Sequence, residues 1–299
     1  MTAQRWVMQS ACDTIATEGK RVNLLFADGT GYKRTPRTGQ SNRGEVRLVI
    51  GVDATGQVVP FGAWTQESWD AMGQAIQTSP GDGEAPDPIA KLLLTDGEGG
   101  ITEGLGHLAA ERSRCHWHQI HDLNYVMSQG GGAFTLKQRR TFQKQLAGII
   151  EIELPSEDFE QVAWEDKVEI AAQMTAAEEK LDVLIATFRK KKCTEAARYL
   201  ENAKEQLFGY VRVWLDYGIV SPRATSLIER LMRELGRRLK KIAFGWSEAG
   251  AAKIARIIIK RVTSANEWKT FWEERLRIIG SVHLVFRGVK TVRPGTSVV

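Results

Sequence analysis

Leu92-Leu93-Leu94-Thr95-Asp96-Gly97-Glu98-Gly99-Gly100 is the stretch whose reading decides the fold. Its apolar start predicts a short buried strand, and the strand ends on an acid, Asp96. A glycine-rich turn and a helix should follow. A second short strand then closes on Arg114-Cys115-His116-Trp117-His118. An apolar strand that carries a carboxylate to its C-terminal end places charge at the rim of a sheet, where a metal ion or phosphate can reach it.

Upstream the same pattern occurs once more. Residues 22–29 predict an apolar strand ending on Asp28, and residues 3–19 a preceding helix that packs Trp6 and Met8. The segment 32–44 is basic, polar and free of acids until it closes, and reads as a loop. Residues 46–52 and 58–63 predict two strands joined by the turn Asp53-Ala54-Thr55-Gly56, a hairpin. A helix over 65–77 and a proline-bearing loop over 79–88 lead into the Asp96 strand. Helices are expected over 101–110 and 118–127, flanking the short Cys115 strand, and Gly130-Gly131-Gly132 ends this part. Three early strands that can pair in sequence, then two more separated by helices, predict an α/β fold with a ribonuclease-H-like mixed sheet flanked by helices.

After the glycines the periodicity changes. Between 135 and 217 charged residues alternate with Leu, Ile, Phe and Ala at helical spacing, which predicts three or four helices. Helices are expected again over 226–244, 247–262 and 264–279, with an irregular tail over 287–299. Four segments follow: a first core part (1–130), an all-α insertion (131–220), a core completion (221–262), and a C-terminal helix and tail (263–299).

Composition narrows the function classes. Of 299 residues, 42% are hydrophobic and 26% charged, the balance of a folded globular chain. No apolar run is long enough to span a bilayer, and the first residues lack the apolar core of a signal peptide. Three well-separated cysteines (Cys12, Cys115, Cys193) fit a reducing cytoplasm better than a disulfide framework. The net charge of +5 leans toward polyanionic partners. That charge is concentrated: residues 221–262 hold eleven lysines and arginines against three acids, a net of +8.

Each chemical feature also has an ordinary structural reading. Asp-Gly after a strand is a common turn. Cys115 and His118 are half of a zinc site and equally a packing pair. Ser226-x-x-Glu229 is a capping box, in which Glu229 only reaches back to its own helix start. Trp117 and Trp246 could stack on a splayed base, but tryptophan in such places is more often core.

Taken in order, the features are an acid on a first strand, an acid after a later strand, Cys-x-x-His about 20 residues on, a helical segment, and Thr225-x-x-x-Glu229-Arg230 opening a basic helix. This order, across about residues 20–262, resembles the mutator-type insertion-sequence transposases of bacteria and archaea. The resemblance implies a catalytic, metal-holding triad of Asp28, Asp96 and Glu229, with Cys115 and His118 as the supporting signature. It implies two Mg²⁺ or Mn²⁺ ions, DNA cleavage and strand transfer at element ends, and a homodimer or higher oligomer that brings two ends together, in the cytoplasm on the nucleoid. His118 would orient a phosphate or a triad ligand, or pack the sheet against its helix. Two departures stand out. Ser226 occupies a position where relatives often have Asn. Relatives also carry an N-terminal DNA-binding region, whereas about 20 residues precede the first strand here, so that region is expected to be lacking or supplied separately.

The physical logic runs the same way. Three carboxylates gathered at about 4 Å repel by roughly 4 kcal/mol per pair at an effective dielectric near 20. Divalent cations relieve this, and hard oxygen donors suit Mg²⁺ or Mn²⁺. DNA contact is expected from Lys33, Arg34, Arg37 and Arg43 near Asp28, and from Arg230, Arg233, Arg237, Arg238, Lys240 and Lys241 beside Glu229. The same residues would equally serve a nuclease that cleaves without joining. A third reading is a non-catalytic DNA-binding protein derived from such an enzyme.

Overall fold

The computed structural model describes residues 15, 19–35, 43–77, 87–129, 134–242 and 245–275. Five strands form one mixed sheet: β1 (Val22–Lys33), β2 (Arg43–Val52), β3 (Val58–Thr65), β4 (Ala90–Thr95) and β5 (Ala109–Arg114), in the order β3-β2-β1-β4-β5. β1, β2 and β3 pair antiparallel, whereas β4 and β5 add in parallel. The parallel additions require crossovers. The first contains α1 (Trp69–Ile76), and the second contains α2 (Gly99–Leu105) and a 3-10 turn over Gly106–Leu108.

Strand alternation explains the layers. Leu24, Phe26, Leu48, Ile50, Leu92 and Leu94 face one side. There they meet α8 (Ser226–Leu239) and α9 (Glu248–Thr263) through Ile228, Leu231, Leu235, Ala255 and Ile259. Val22, Leu25, Ala27, Val49 and Leu93 face the other side and meet Trp69, Met72, Ile76, Ile101 and Leu105 of α1 and α2. Both faces are covered, so β4 is apolar on both sides over residues 92–94.

The helical segment has a core of its own. It comprises α3 (His116–Gln129), α4 (Leu136–Ile150), α5 (Trp164–Lys190), α6 (Thr194–Leu207) and α7 (Gly209–Tyr217). Leu123, Leu146, Leu181, Leu184, Phe188, Leu200 and Trp214 fill it. Its junction with the sheet is tight. The backbone of Gly209 lies against Arg112 of β5, and Arg212 Nε donates to Glu111 Oε2 at 3.0 Å. The buried Tyr210 hydroxyl accepts from Ile152 N at 2.9 Å and donates to Ile150 O at 3.0 Å. The last described helix, α10 (Ala265–Arg275), follows α9.

The α/β class, the hairpin and the four helices between 135 and 217 match the expectations from sequence. Several boundaries do not. β1 continues past Asp28 to Lys33, and β2 begins at Arg43, so both ends of the expected basic loop are strand. The Glu45 carboxylate sits where a Cβ on Gly29 would fall, so the glycine lets the strand run on where a turn was expected. The helix expected over 65–77 starts only at Trp69, because the Ser68 hydroxyl caps it. The helix expected over 101–110 ends at Leu105, and Ala109 and Ala110 belong to β5. Cys115 is not in a strand: it precedes α3, which starts two residues earlier than expected. The helices expected over 226–244 and 264–279 are described only as Ser226–Leu239 and Ala265–Arg275. Arg37, the glycines at 130–132, the tail over 287–299 and nearly all of the expected helix over 3–19, Trp6 and Met8 included, lie outside the described residues.

A Cβ on Gly209 would stand 2.0 Å from Arg112 O, a backbone atom that cannot swing aside. Gly209→Ala is therefore expected to lower the unfolding free energy by about 3 kcal/mol. Urea denaturation followed by circular dichroism reads this, with Gly148→Ala, at an open helical position, changed little or stabilised.

Candidate active site

The sheet itself brings two of the acids together. β1 and β4 run parallel with Phe26 opposite Leu94. Two residues further on stand Asp28, still within β1, and Asp96, the first residue after β4, near enough for the Asp96 charge to act on the Asp28 carboxyl. Asp28 follows the alternation of Leu24 and Phe26, which places it on the face that α8 covers. Asp28 therefore sits within β1, paired with Leu48, and not at a strand end as expected.

Asp96 is held by its own turn. Its Oδ1 accepts from Glu98 N at 3.0 Å, and Thr95 Oγ1 accepts from Gly97 N at 3.2 Å. Gly97 has a φ of 99°, which a side chain rarely tolerates, and the Arg114 guanidinium occupies the place of its missing Cβ. The Asp-Gly pair is thus a turn, as the ordinary reading has it, and the turn leaves Oδ2 of Asp96 out of this capping contact.

Glu229 comes to the same edge by a hydrogen-bonded seam. Cys115 N donates to Thr95 O at 2.8 Å and prolongs the β4–β5 ladder by one residue. His116 N donates to Arg223 O at 2.9 Å, and Thr225 N donates to Cys115 Sγ at 3.4 Å. This seam docks residues 223–225 beside the start of α3, so α8 begins over the sheet edge. The capping box expected of Ser226 and Glu229 does not form. Thr225 occupies the N-cap position, and its hydroxyl donates to Glu229 Oε1 at 2.9 Å. Glu229 therefore reaches back to the N-cap residue of its own helix through the Thr225 hydroxyl, and its carboxylate lies beside Cys115 and His118. Ligand atoms of Cys115, His118 and Glu229 all lie within 4.8 Å of one another.

The electrostatics tie all five residues into one cluster. Burial pushes the Asp28 carboxyl up from its usual value to about 6, and the nearby Asp96 and Glu229 charges push the same way, against Gly29 N–H and His118. Burial also pushes the Cys115 thiol up, but the facing His118 and Thr225 outweigh it and leave the thiol below its ordinary value. Cys115 in turn raises His118, helped by Asp96 and Glu229. The contact between the two thus lowers the thiol and raises the imidazole beside the acids.

Among the described residues the ligand atoms that converge are those of Cys115, His118 and Glu229, one carboxylate with a sulfur and an imidazole, while Asp28 and Asp96 lie near enough for their charges to be felt. The buried Nδ1 of His118 has no hydrogen-bond partner. The sulfur and imidazole on one flank are softer and would favour Zn²⁺, while the carboxylates opposite suit Mg²⁺ or Mn²⁺.

The basic residues divide. Arg230, Arg233, Arg237, Arg238, Lys240 and Lys241 are exposed along α8 and just after it, with Arg237 paired to Glu234 at 2.6 Å. Lys33 and Arg43 are exposed at the end of the β1–β2 hairpin. Arg34 is half-buried and forms an ion pair with Glu248, which commits it to anchoring α9. Trp246 is core as expected, its Nε1 donating to Arg238 O at 3.1 Å. Trp117 is not: it is 55% exposed. Sequence reasoning also passed over Arg114 and Tyr199. Arg114 lies over the Tyr199 ring, 5.0 Å from its centroid, against Gly97. Arg114 precedes the Cys-x-x-His and could have been weighed with it. Nothing local marks Tyr199, which only the packing of α6 brings here. No protein-family model and no curated protein matches this sequence.

Folded Asp28 keeps its proton up to about pH 6, whereas the unfolded chain releases it near 3.8. The folded state binds more protons between these values, so stability falls as pH rises through that window and the full penalty applies above it. In metal-free buffer Asp28→Asn is expected to be more stable than the parent by about 2 kcal/mol at pH 8 and about equal at pH 3.5, as read by thermal melts.

Proposed function

We propose that this chain is a metal-dependent DNA transposase of the Asp-Asp-Glu type, on a ribonuclease-H-like core interrupted by an all-α insertion. The observation that carries the reading is the gathering of Asp28, Asp96 and Glu229, 201 residues apart in sequence from first to last, at one edge of the sheet. The sheet order supports the core assignment, with three early strands paired in sequence and two more separated by helices. Residues 131–220 supply helices between β5 and α8 that share one core with α3, which fits a helical insertion.

In this reading Asp28, Asp96 and Glu229 hold the cations, and Thr225 fixes the rotamer of Glu229 by its 2.9 Å hydrogen bond. A bound pair of Mg²⁺ or Mn²⁺ ions supplies activation of the attacking oxygen and stabilisation of the leaving one in an in-line phosphoryl displacement. Cys115 and His118 position Glu229 against the sheet edge, their ligand atoms within 4.8 Å of its carboxylate. The exposed cations of α8 bind the phosphodiester backbone, and a second copy of the chain would bring the other element end. Cleavage without joining, by a nuclease on the same core, is the neighbouring reading; the carboxylate geometry serves both.

The test uses the purified chain, Mn²⁺ and a labelled duplex carrying the DNA that flanks its own reading frame, with a plasmid as target. Strand-transfer products are expected. Cleavage alone would assign the nuclease, and neither would sink the enzymatic reading. Asp96→Ala and Glu229→Ala should each lower product formation by on the order of 10³-fold while changing DNA affinity only a few-fold. Replacing both Arg230 and Arg233 by Ala should reduce the slope of log affinity against log salt by about 2. An unchanged slope would place the DNA elsewhere.

A further inference from the structure

Trp117 opens α3 one residue after His116 and one before His118, yet its surroundings differ from both. His116 is buried, with Nε2 2.9 Å from Leu207 O and its ring edge-on to Tyr210. His118 belongs to the acid cluster. Trp117 stands outside, 55% exposed, with its ring 4.8 Å from that of His118, edge to face. It stacks on His121 one turn further on, with centroids 4.8 Å apart and planes 11° from parallel. His121 is itself tethered by Nδ1 to Asp122 Oδ1 at 2.8 Å. Exposure by itself is ordinary, and Trp164 is more exposed still at 73%; what sets Trp117 apart is its bracing and its place. The ring is braced from behind by an imidazole, which fixes its plane.

Position and charge say what would cover it. Through His118 the ring is one side chain away from Glu229, one of the carboxylates proposed to hold cations at a phosphodiester. Arg114, three residues earlier in sequence, is half-buried against the turn that carries Asp96, with its Nε lacking a hydrogen-bond partner. The exposed cations Arg230 and Arg233 follow Glu229 on α8. A nucleotide whose phosphate sits at this edge has its base within reach of Trp117 only if that base is unpaired, because paired bases are stacked inside the duplex. We infer that Trp117, backed by His121, is a stacking platform for an unpaired base of the DNA strand held at the Asp28–Asp96–Glu229 edge, so that the chain prefers DNA opened next to the reacting phosphate. Base–aromatic stacking tolerates any base, so the platform reads the open state and not the sequence. The inference rests on the proposed function for the location of the phosphate. Trp117 acts as a positioning residue.

The experiment measures binding of the full chain in Ca²⁺ by fluorescence anisotropy. Two labelled probes are compared, a 20-base-pair duplex and the same duplex with four bases unpaired at one end. The parent is expected to bind the forked probe about tenfold tighter than the closed one. Trp117→Ala should erase that preference to within about twofold while leaving closed-duplex affinity nearly unchanged, and Trp117→Phe should keep most of it. Equal preference in Trp117→Ala and parent, no preference in the parent, or no DNA binding at all would overturn the inference. So would a loss of self-association in Trp117→Ala with fork preference intact, since the indole would then belong to a contact between copies. A fork preference that depends on Trp117 without Mn²⁺-dependent cleavage would refute the proposed function alone. Cleavage with an indifferent Trp117→Ala would refute only the stacking platform.

Discussion

The parallel register of β1 and β4 brings Asp28 and the turn that carries Asp96 to the same end of the paired strands, near enough for the Asp96 charge to act on Asp28, and the rest of the site follows from this. Adjacent parallel strands lie about 4.8 Å apart, so the register fixes how near the two backbones run. The hydrophobic alternation that buries Leu24, Phe26, Leu92 and Leu94 against α8 fixes the register, because a one-residue slip would turn these chains to the opposite face. The apolar core thus holds two carboxylates together against their own charge, and burial adds to the cost of ionising Asp28.

Glu229 adds a third like charge, brought by the seam between residues 115–116 and 223–225. Backbone hydrogen bonds at 2.8 and 2.9 Å and the Thr225 N–H on Cys115 Sγ make that seam short and directional. Cys115 therefore serves the position as a small, fully buried acceptor as much as a bearer of chemistry. His118 partly offsets the acids within the protein. What remains is a cluster whose charge a divalent cation would balance, the chemical ground for the transposase reading.

The helical segment is joined to this arrangement at its flank. Gly209 against β5 and Arg212 on Glu111 dock its core on the β5 side, and Tyr210 ties residues 150–152 to the docked helix. Through α6 it also delivers Tyr199, whose ring underlies Arg114. Burial pushes the Tyr199 phenol up to about 12, so it stays neutral beneath that guanidinium. The segment thus contributes to the surroundings of Asp96 as well as filling the sequence between β5 and α8.

Local residue pattern alone determined much here: the α/β class, the apolar strands that carry Asp28 and Asp96, the helical run between 135 and 217, and the basic character of α8. These depend on periodicities of two and 3.6 and on charge counts, which any reader of the chain can extract. Where β1 ends was not legible, because Asp28-Gly29 is a turn signal in isolation and only pairing with β2 keeps it extended. The Ser226–Glu229 pair looked equally like a cap, and its fate was settled by Cys115 claiming Thr225 N–H across a gap of 110 residues. Trp117 and Trp246 are chemically identical, yet one is braced in solvent and the other is core. That difference lies in which elements pack around each ring, and such long-range packing is what tertiary structure alone decides.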